Sequence, residues 1–187
     1  MRRCCAVVIF VLFLFSGCDF GNSEMNRALS LREQILKCKG CTFDAVITAD
    51  YDDKFYTFSM HCQADASGAI TFQVSDPESI SGVSGTISEE GGQLSFLDTV
   101  LAFELLADGQ LSPVSAPWIF LHTLRSGYLN ASGEDGTGLR ILIDDSYAGE
   151  TLLVSVWTDE NDFPIRSEIT WKGRRILTVD VRDFVYV

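Results

Sequence analysis

The chain has 187 residues, of which 47% are hydrophobic, and its 14 basic and 26 acidic residues give a formal net charge of −12. This hydrophobic fraction excludes a disordered chain, and the length suits one domain with its own core. The acidic charge excludes nucleic acid as a partner, because binding to phosphates needs a basic surface.

The first 17 residues have the pattern of an export signal. Arg2 and Arg3 form a short basic region, and an unbroken apolar run extends from Ala6 to Phe15. A membrane-spanning helix needs roughly 20 apolar residues, so this run is too short to be one. Its length and basic flank are those of a secretory signal peptide. We therefore predict that residues 1–17 are removed.

The end of this run resembles the lipobox of bacterial lipoproteins, because Ser16 and Gly17 stand directly before Cys18. The resemblance implies that the Cys18 thiol is acylated, for example with palmitate, and that residues 18–24 tether the domain to the outer face of the cell membrane. Two or three acyl chains give stable anchoring. The alternative is an ordinary signal peptide with an incidental cysteine.

Loss of Arg2 and Arg3 with the signal peptide makes the net charge −14, and this negative charge disfavours electrostatic binding to anionic lipid.

The rest of the chain, residues 25–187, is predicted to be a single, mainly β domain of the α+β class. Apolar residues recur at helical spacing after Ser23, and Gly40 is a plausible helix stop. Alternating apolar residues then predict about eleven strands, with a first hairpin turning near Asp52. One inserted helix interrupts them, with Pro117 in its first turn and Gly127 after its end. So many strands predict a curved or closed antiparallel sheet.

Two segments resemble the LolA-like superfamily of envelope lipoproteins. Residues 159–184 hold an acidic turn, a proline that opens a strand, a hairpin and a last strand that ends in an aromatic residue. Residues 76–87 are similar to the middle segment of that family. The resemblance implies an eleven-stranded half-barrel whose concave face, covered by helices, binds acyl chains or partner proteins. Related lipoproteins of Gram-positive bacteria act in the envelope and in spore assembly.

The three cysteines beyond Cys18 leave two disulfide pairings open. An exported chain permits disulfides, and a turn at residues 52–53 places Cys62 opposite Phe43 and diagonal to Cys41. A four-residue turn would instead pair Cys41 directly with Cys62, which is the pairing we favour. The alternative is Cys38–Cys41, a C-x-x-C pair at the end of a helix, where the helix dipole disfavours a thiolate.

No motif for catalysis, a metal or a cofactor stands out. His61 has the opposite strand parity from Cys62, which argues against a zinc site. The only other histidine, His122, lies among apolar helix residues, and no G-x-S-x-G motif is present. We therefore expect no catalytic residue, no metal site and no cofactor, and a protein that is not an enzyme.

Apolar surface is the remaining functional signal. We predict that one set of residues lines a hydrophobic cavity, with the helix in region 115–126 as its lid. In the first hypothesis the cavity holds a lipid or a lipidated partner. In the alternative the interior is filled and the protein is a non-enzymatic interaction module for an envelope partner, in cell-wall or spore functions. The set is Phe72, Phe96, Phe103, Trp118, Leu121, Leu124 and Trp171.

Overall fold

In the computed structural model, an 11-stranded antiparallel sheet forms most of the protein. The sheet is curved and does not close on itself, and two α-helices in the described part of the chain accompany it. The structure describes residues 23–97, 99–107, 110–136, 138–146 and 150–187. The predicted fold class, a curved antiparallel sheet with an N-terminal helix and an inserted helix, is therefore confirmed.

The chain forms the sheet in two halves that meet in its centre. The sheet order is β6-β5-β4-β3-β2-β1-β13-β12-β11-β10-β9, and β7 and β8 form a separate hairpin. The first half comprises α1 (Ser23–Lys37), β1 (Gly40–Asp50), β2 (Phe55–Asp65), β3 (Ile70–Asp76), β4 (Ser84–Ser88), β5 (Gly91–Phe96) and β6 (Thr99–Phe103). The rest comprises β7 (Leu106–Ala107), β8 (Gln110–Leu111), α2 (Ala116–Ser126), β9 (Tyr128–Asp135), β10 (Gly138–Asp144), β11 (Leu152–Thr158), β12 (Pro164–Trp171) and β13 (Arg174–Tyr186).

The turn between β1 and β2 has the two-residue form and not the four-residue form on which the favoured Cys41–Cys62 pairing rests. The amide of Tyr51 donates to the carbonyl of Lys54 at 2.9 Å, and Asp52 adopts a positive φ of 65°, which aspartate tolerates better than most residues. This turn sets Cys62 opposite Phe43. A four-residue turn, which would pair Cys41 with Cys62, is therefore not formed.

The stretch after β5 differs from its prediction. The sequence pattern predicts one strand over residues 100–106, but β6 ends at Phe103 and the chain then leaves the sheet. The carbonyl of Leu105 accepts a hydrogen bond from the amide of Ser112 at 2.9 Å, at the base of the separate β7–β8 hairpin. The chain reaches α2 through a 3₁₀ turn, Pro113–Ser115.

Helix α2 packs against the concave side of the sheet at strands β10 to β13. Its buried residues number eight of 11 and include Trp118, Leu121 and Leu124. Phe120 is 0% exposed and meets Phe43 of β1 edge to face, with ring centroids 5.9 Å apart. A helix buried almost all round belongs to the core of a domain.

Arg32 of α1 caps the end of α2. Its Nε donates to the carbonyl of Leu124 at 2.7 Å, and its Nη2 donates to the carbonyl of Gly127 at 2.6 Å. Burial lowers the pKa of Arg32 from its ordinary value. Because the last carbonyls of a helix have no partner within the helix, this contact both satisfies them and joins the two helices.

The strands give the sheet two distinct ends. The β1–β2, β3–β4 and β5–β6 connections lie at one end, which we call the hairpin end. The first turns of α1 and its connection to β1 lie at the opposite end, which we call the helix end. There Arg27 pairs with Asp162, in the turn after β11, at 2.6 Å, and the amide of Lys39 donates to the carbonyl of Val187 at 3.0 Å.

Candidate functional site

An apolar cleft of about 550 Å³ lies at the hairpin end. It lies between the concave face of strands β2 to β5 and the 3₁₀ turn that precedes α2. Cavities that bind small ligands typically have volumes of roughly 300–1,000 Å³. The lining residues are Tyr51, Asp53, Lys54, Tyr56, Phe58, Val74, Ile80, Val83, Leu94, Leu111, Ser112, Pro113 and Val114.

Two tyrosines hold one wall of the cleft in place. The tight β1–β2 turn brings Tyr51 and Tyr56 to an edge-to-face contact, with ring centroids 6.4 Å apart. The hydroxyl of Tyr51 donates to the carbonyl of Leu111, and burial raises the pKa of Tyr51 to about 12. The hydroxyl therefore remains a donor at neutral pH, and it ties the hairpin to the chain that leads into α2.

Charged residues stand at one side of this apolar lining. Asp53 and Lys54 both line the cleft. Nearby, Arg174 pairs with Asp50 at 2.9 Å and also with Asp52. Lys54 is the basic residue of the lining. Its ammonium group can form an ion pair with an acidic group on a ligand whose apolar part lies in the cleft.

The residues predicted to line a cavity lie elsewhere. None of them lines this cleft. Phe72, Trp118, Leu121 and Leu124 are buried in the core, Phe103 and Trp171 pack partly against it, and Phe96 is 45% exposed. The predicted lid, region 115–126, is mostly the buried helix α2, and the cleft borders the turn just before it.

The residues that do line the cleft were not among those predicted from the sequence. Tyr51 and Tyr56 flank an acidic turn, which is typical of an ordinary exposed hairpin end. Ile80 and Val83 are apolar residues in a loop of glycine and serine. Apolar residues in such a loop are the one feature of the sequence that could have indicated a buried or ligand-contacting surface there. The loop folds over the concave face, so its apolar residues meet those of β2 and β5.

All three cysteines in the described part of the chain are free thiols. Cys62 faces Phe43, and Cys41 faces Ala64, so the two cysteines are diagonal rather than directly paired. Burial raises the pKa of Cys41 to about 12 and raises that of Cys62 further. Cys38 is only partly buried, and its Sγ lies 3.1 Å from the carbonyl oxygen of Ile35.

In the folded protein we expect iodoacetamide to modify Cys38 and to spare Cys41 and Cys62. The thiolate is the reactive form, and burial disfavours it at about pH 8. Mass spectrometry of tryptic peptides, before and after unfolding in urea without reductant, measures the modification. Unfolding should make all three thiols reactive. If Cys41 and Cys62 stay unmodified after unfolding, they form a disulfide in the purified protein.

The described residues include neither a catalytic triad nor a cluster of metal-binding side chains. The nearest approach to a triad is Ser126, His122 and Asp145. Ser126 Oγ lies 3.2 Å, and Asp145 Oδ2 4.0 Å, from the same nitrogen, His122 Nε2. A triad needs the serine and the carboxylate at opposite nitrogens of the ring. The His122 ring is instead stacked on Trp118, with centroids 4.4 Å apart.

The predicted signal peptide, Cys18 and most of the tether lie outside the described residues. Within the part of the chain that the structure describes, no helix is long and apolar enough to cross a membrane. Helix α1 begins at Ser23, so the last two residues assigned to the tether are helical.

Comparisons with known proteins found solved structures that are similar to this chain. No family model matches the sequence, and no curated protein matches it at a significant level. An uncharacterized conserved protein from Thermus thermophilus matches with 12% identity and a TM-score of 0.49, over 87% of each chain. A putative outer membrane lipoprotein-sorting protein domain from Vibrio parahaemolyticus matches with 10% identity and a TM-score of 0.49, over 87% of this chain and 92% of that one.

A LolA superfamily protein from Nitrosomonas europaea also matches, with 8% identity and a TM-score of 0.43, over 84% of this chain and 92% of that one. At these identities and TM-scores we transfer no activity or ligand from them.

Proposed function

We propose that this chain is a bacterial envelope lipoprotein, anchored through Cys18, whose cleft binds the acyl chain of a lipid or of a lipidated partner. The observation that carries the proposal is the apolar cleft of about 550 Å³ with Lys54 in its lining. Carbon-rich walls favour an apolar chain, and a single ammonium group suits an acidic head group. The domain that carries the cleft begins with α1 and comprises residues 23–187.

The start of α1, which follows the proposed anchor in the chain, and the cleft lie at opposite ends of the domain. Arg27 places the start of α1 at the helix end, whereas the cleft lies at the hairpin end. The chain from Cys18 to Ser23 spans at most about 17 Å when fully extended. A strand as long as β2, with 11 residues, spans about 36 Å. The anchor therefore keeps the helix end near the membrane and directs the cleft away from it, towards the aqueous side.

Native mass spectrometry of the chain from Asp19 onward, purified from cells without detergent, tests the proposal. We expect extra mass that is lost on extraction with organic solvent. A protein that carries only its calculated mass, and that does not bind added cis-parinaric acid, would contradict a lipid-binding cleft.

Val83→Arg should weaken the binding of cis-parinaric acid at least about tenfold, because a charged group in an apolar site is costly and the longer side chain occupies the space. Val83 is only partly buried, so the domain should still fold. The matched control is Val46→Arg, the same substitution on the convex face of β1. Fluorescence titration measures both variants, and equal weakening in both would show that the effect does not arise in the cleft.

A further inference from the structure

One edge of the sheet is unusually open to pairing. The strand at this edge, β6, contains no charged residue and no proline. The side chains of Val100 and Leu101 are 63% and 61% exposed. Leu101 lies directly opposite Leu94, a lining residue of the cleft, so the apolar surface continues from the cleft to the edge.

The other edge, β9, is protected. Helix α1 packs against it, and its last residues, Glu134 and Asp135, are acidic. Its register with β10 shifts between Leu142 and Ile143. Covering elements, charges and irregular register are the usual ways in which proteins prevent pairing at an edge strand. Strand β6 carries no charge and no shift in register along its length, and no helix in the described part of the chain is packed against it.

The turn that leads into β6 adds a second, independent observation. Leu97 is 88% exposed and has a positive φ of 51°. Both features are unfavourable for a leucine, because its side chain is apolar and bulky residues avoid this conformation. A two-residue hairpin turn requires a positive φ at this position, so the conformation follows from the turn between Phe96 and Thr99. The exposed leucine side chain extends the apolar surface of β6.

The backbone of β6 shows what kind of molecule this is. Phe96 and Thr99 close the β5–β6 turn and are paired across it. Hydrogen-bonded and non-hydrogen-bonded pairs alternate along an antiparallel ladder, so the N–H and C=O groups of Val100 and Ala102 point away from β5. A lipid chain cannot satisfy these groups. A polypeptide strand can, by adding to the edge of the sheet.

Charge distinguishes between possible polypeptides. Beyond the end of β6, Glu90 and Glu104 line a polar cleft of about 530 Å³. A second copy of this chain would bring another net charge of −12 to this acidic surface, and like charges repel. We propose that β6 binds an extended segment of a different protein, with alternating apolar residues on the face of Leu101 and basic residues at Glu90 and Glu104.

A synthetic peptide tests the proposal with the full chain purified in detergent. The probe is a fluorescein-labelled peptide with two lysines followed by alternating threonine and valine, so that the lysines of an antiparallel strand reach Glu104. Ala102→Pro removes one outward N–H group and leaves the β5–β6 ladder intact. We expect it to weaken peptide binding about tenfold, since a partner carbonyl is left without a donor.

The matched control is Ala102→Ser, which keeps the N–H group and should bind the peptide within about twofold of the unchanged protein. Both variants should bind cis-parinaric acid as before, so a failure of this proposal is distinguishable from a failure of the lipid-binding proposal. Absence of peptide binding, or equal binding by Ala102→Pro, overturns the proposal. A dimer that Ala102→Pro converts to a monomer would also overturn it, in favour of a second copy.

Discussion

Phe120→Ala is expected to lower the free energy of unfolding by about 4 kcal/mol, which is within the usual range for truncating a fully buried phenylalanine. Phe120 is 0% exposed and contacts Phe43, which in turn stacks on Phe184 with ring centroids 5.7 Å apart. The substitution therefore leaves a cavity where α2, β1 and β13 meet. Urea denaturation followed by circular dichroism measures the loss.

Ser126→Ala is the control for this prediction, because Ser126 lies on the same helix but is exposed. We expect this variant to change stability by less than about 1 kcal/mol. A similarly small change for Phe120→Ala would mean that α2 is not packed in the concave side as described. It would then favour the lid that the sequence analysis assigned to region 115–126.

Cys18→Ser is expected to abolish both lipid attachment and the cleavage that follows it. A serine hydroxyl is a far weaker nucleophile than a thiol and does not take its place in acylation. In cells grown with alkynyl palmitate, the unchanged protein should carry the label and begin at Cys18. The variant should carry no label and should retain residues 1–17. Gel fluorescence and intact mass measure the two effects.

Cys5→Ser is the matched control, because Cys5 lies in the segment that we predict to be removed. Its product should have the same mass and label as the unchanged protein. Labelling of the Cys18→Ser variant would place the lipid on another residue. A product cleaved without any label would indicate an ordinary signal peptide, the alternative raised by the sequence.

The fold was predictable because its signals are local. Alternating apolar residues and the turn at Asp52 predict the β1–β2 pairing, and the structure has the register that a two-residue turn dictates. Helix α2 is likewise marked by Pro117 and Gly127, and it ends at Ser126. In each case the residues that decide the conformation are neighbours in the sequence.

The cleft was not predictable in the same way. Its walls come from Tyr51, Val83, Leu94 and Val114, which belong to four separate parts of the chain. In the sequence, Trp118 and Leu121 look as suitable for a cavity as these residues do, because each is apolar. Only the packing of α2 against the sheet shows that Trp118 and Leu121 lie in the core.

The sequence by itself therefore determined the mainly β fold, the two helices and the candidate lipid anchor, because periodicity, turn residues and the run before Cys18 are properties of short segments. The tertiary structure decided that α2 belongs to the core, that the cleft lies at the hairpin end and that β6 is left open at the edge. These features depend on which segments, distant in the sequence, pack against each part of the concave surface. Each segment carries its own apolar residues, but the packed domain determines which of them remain accessible.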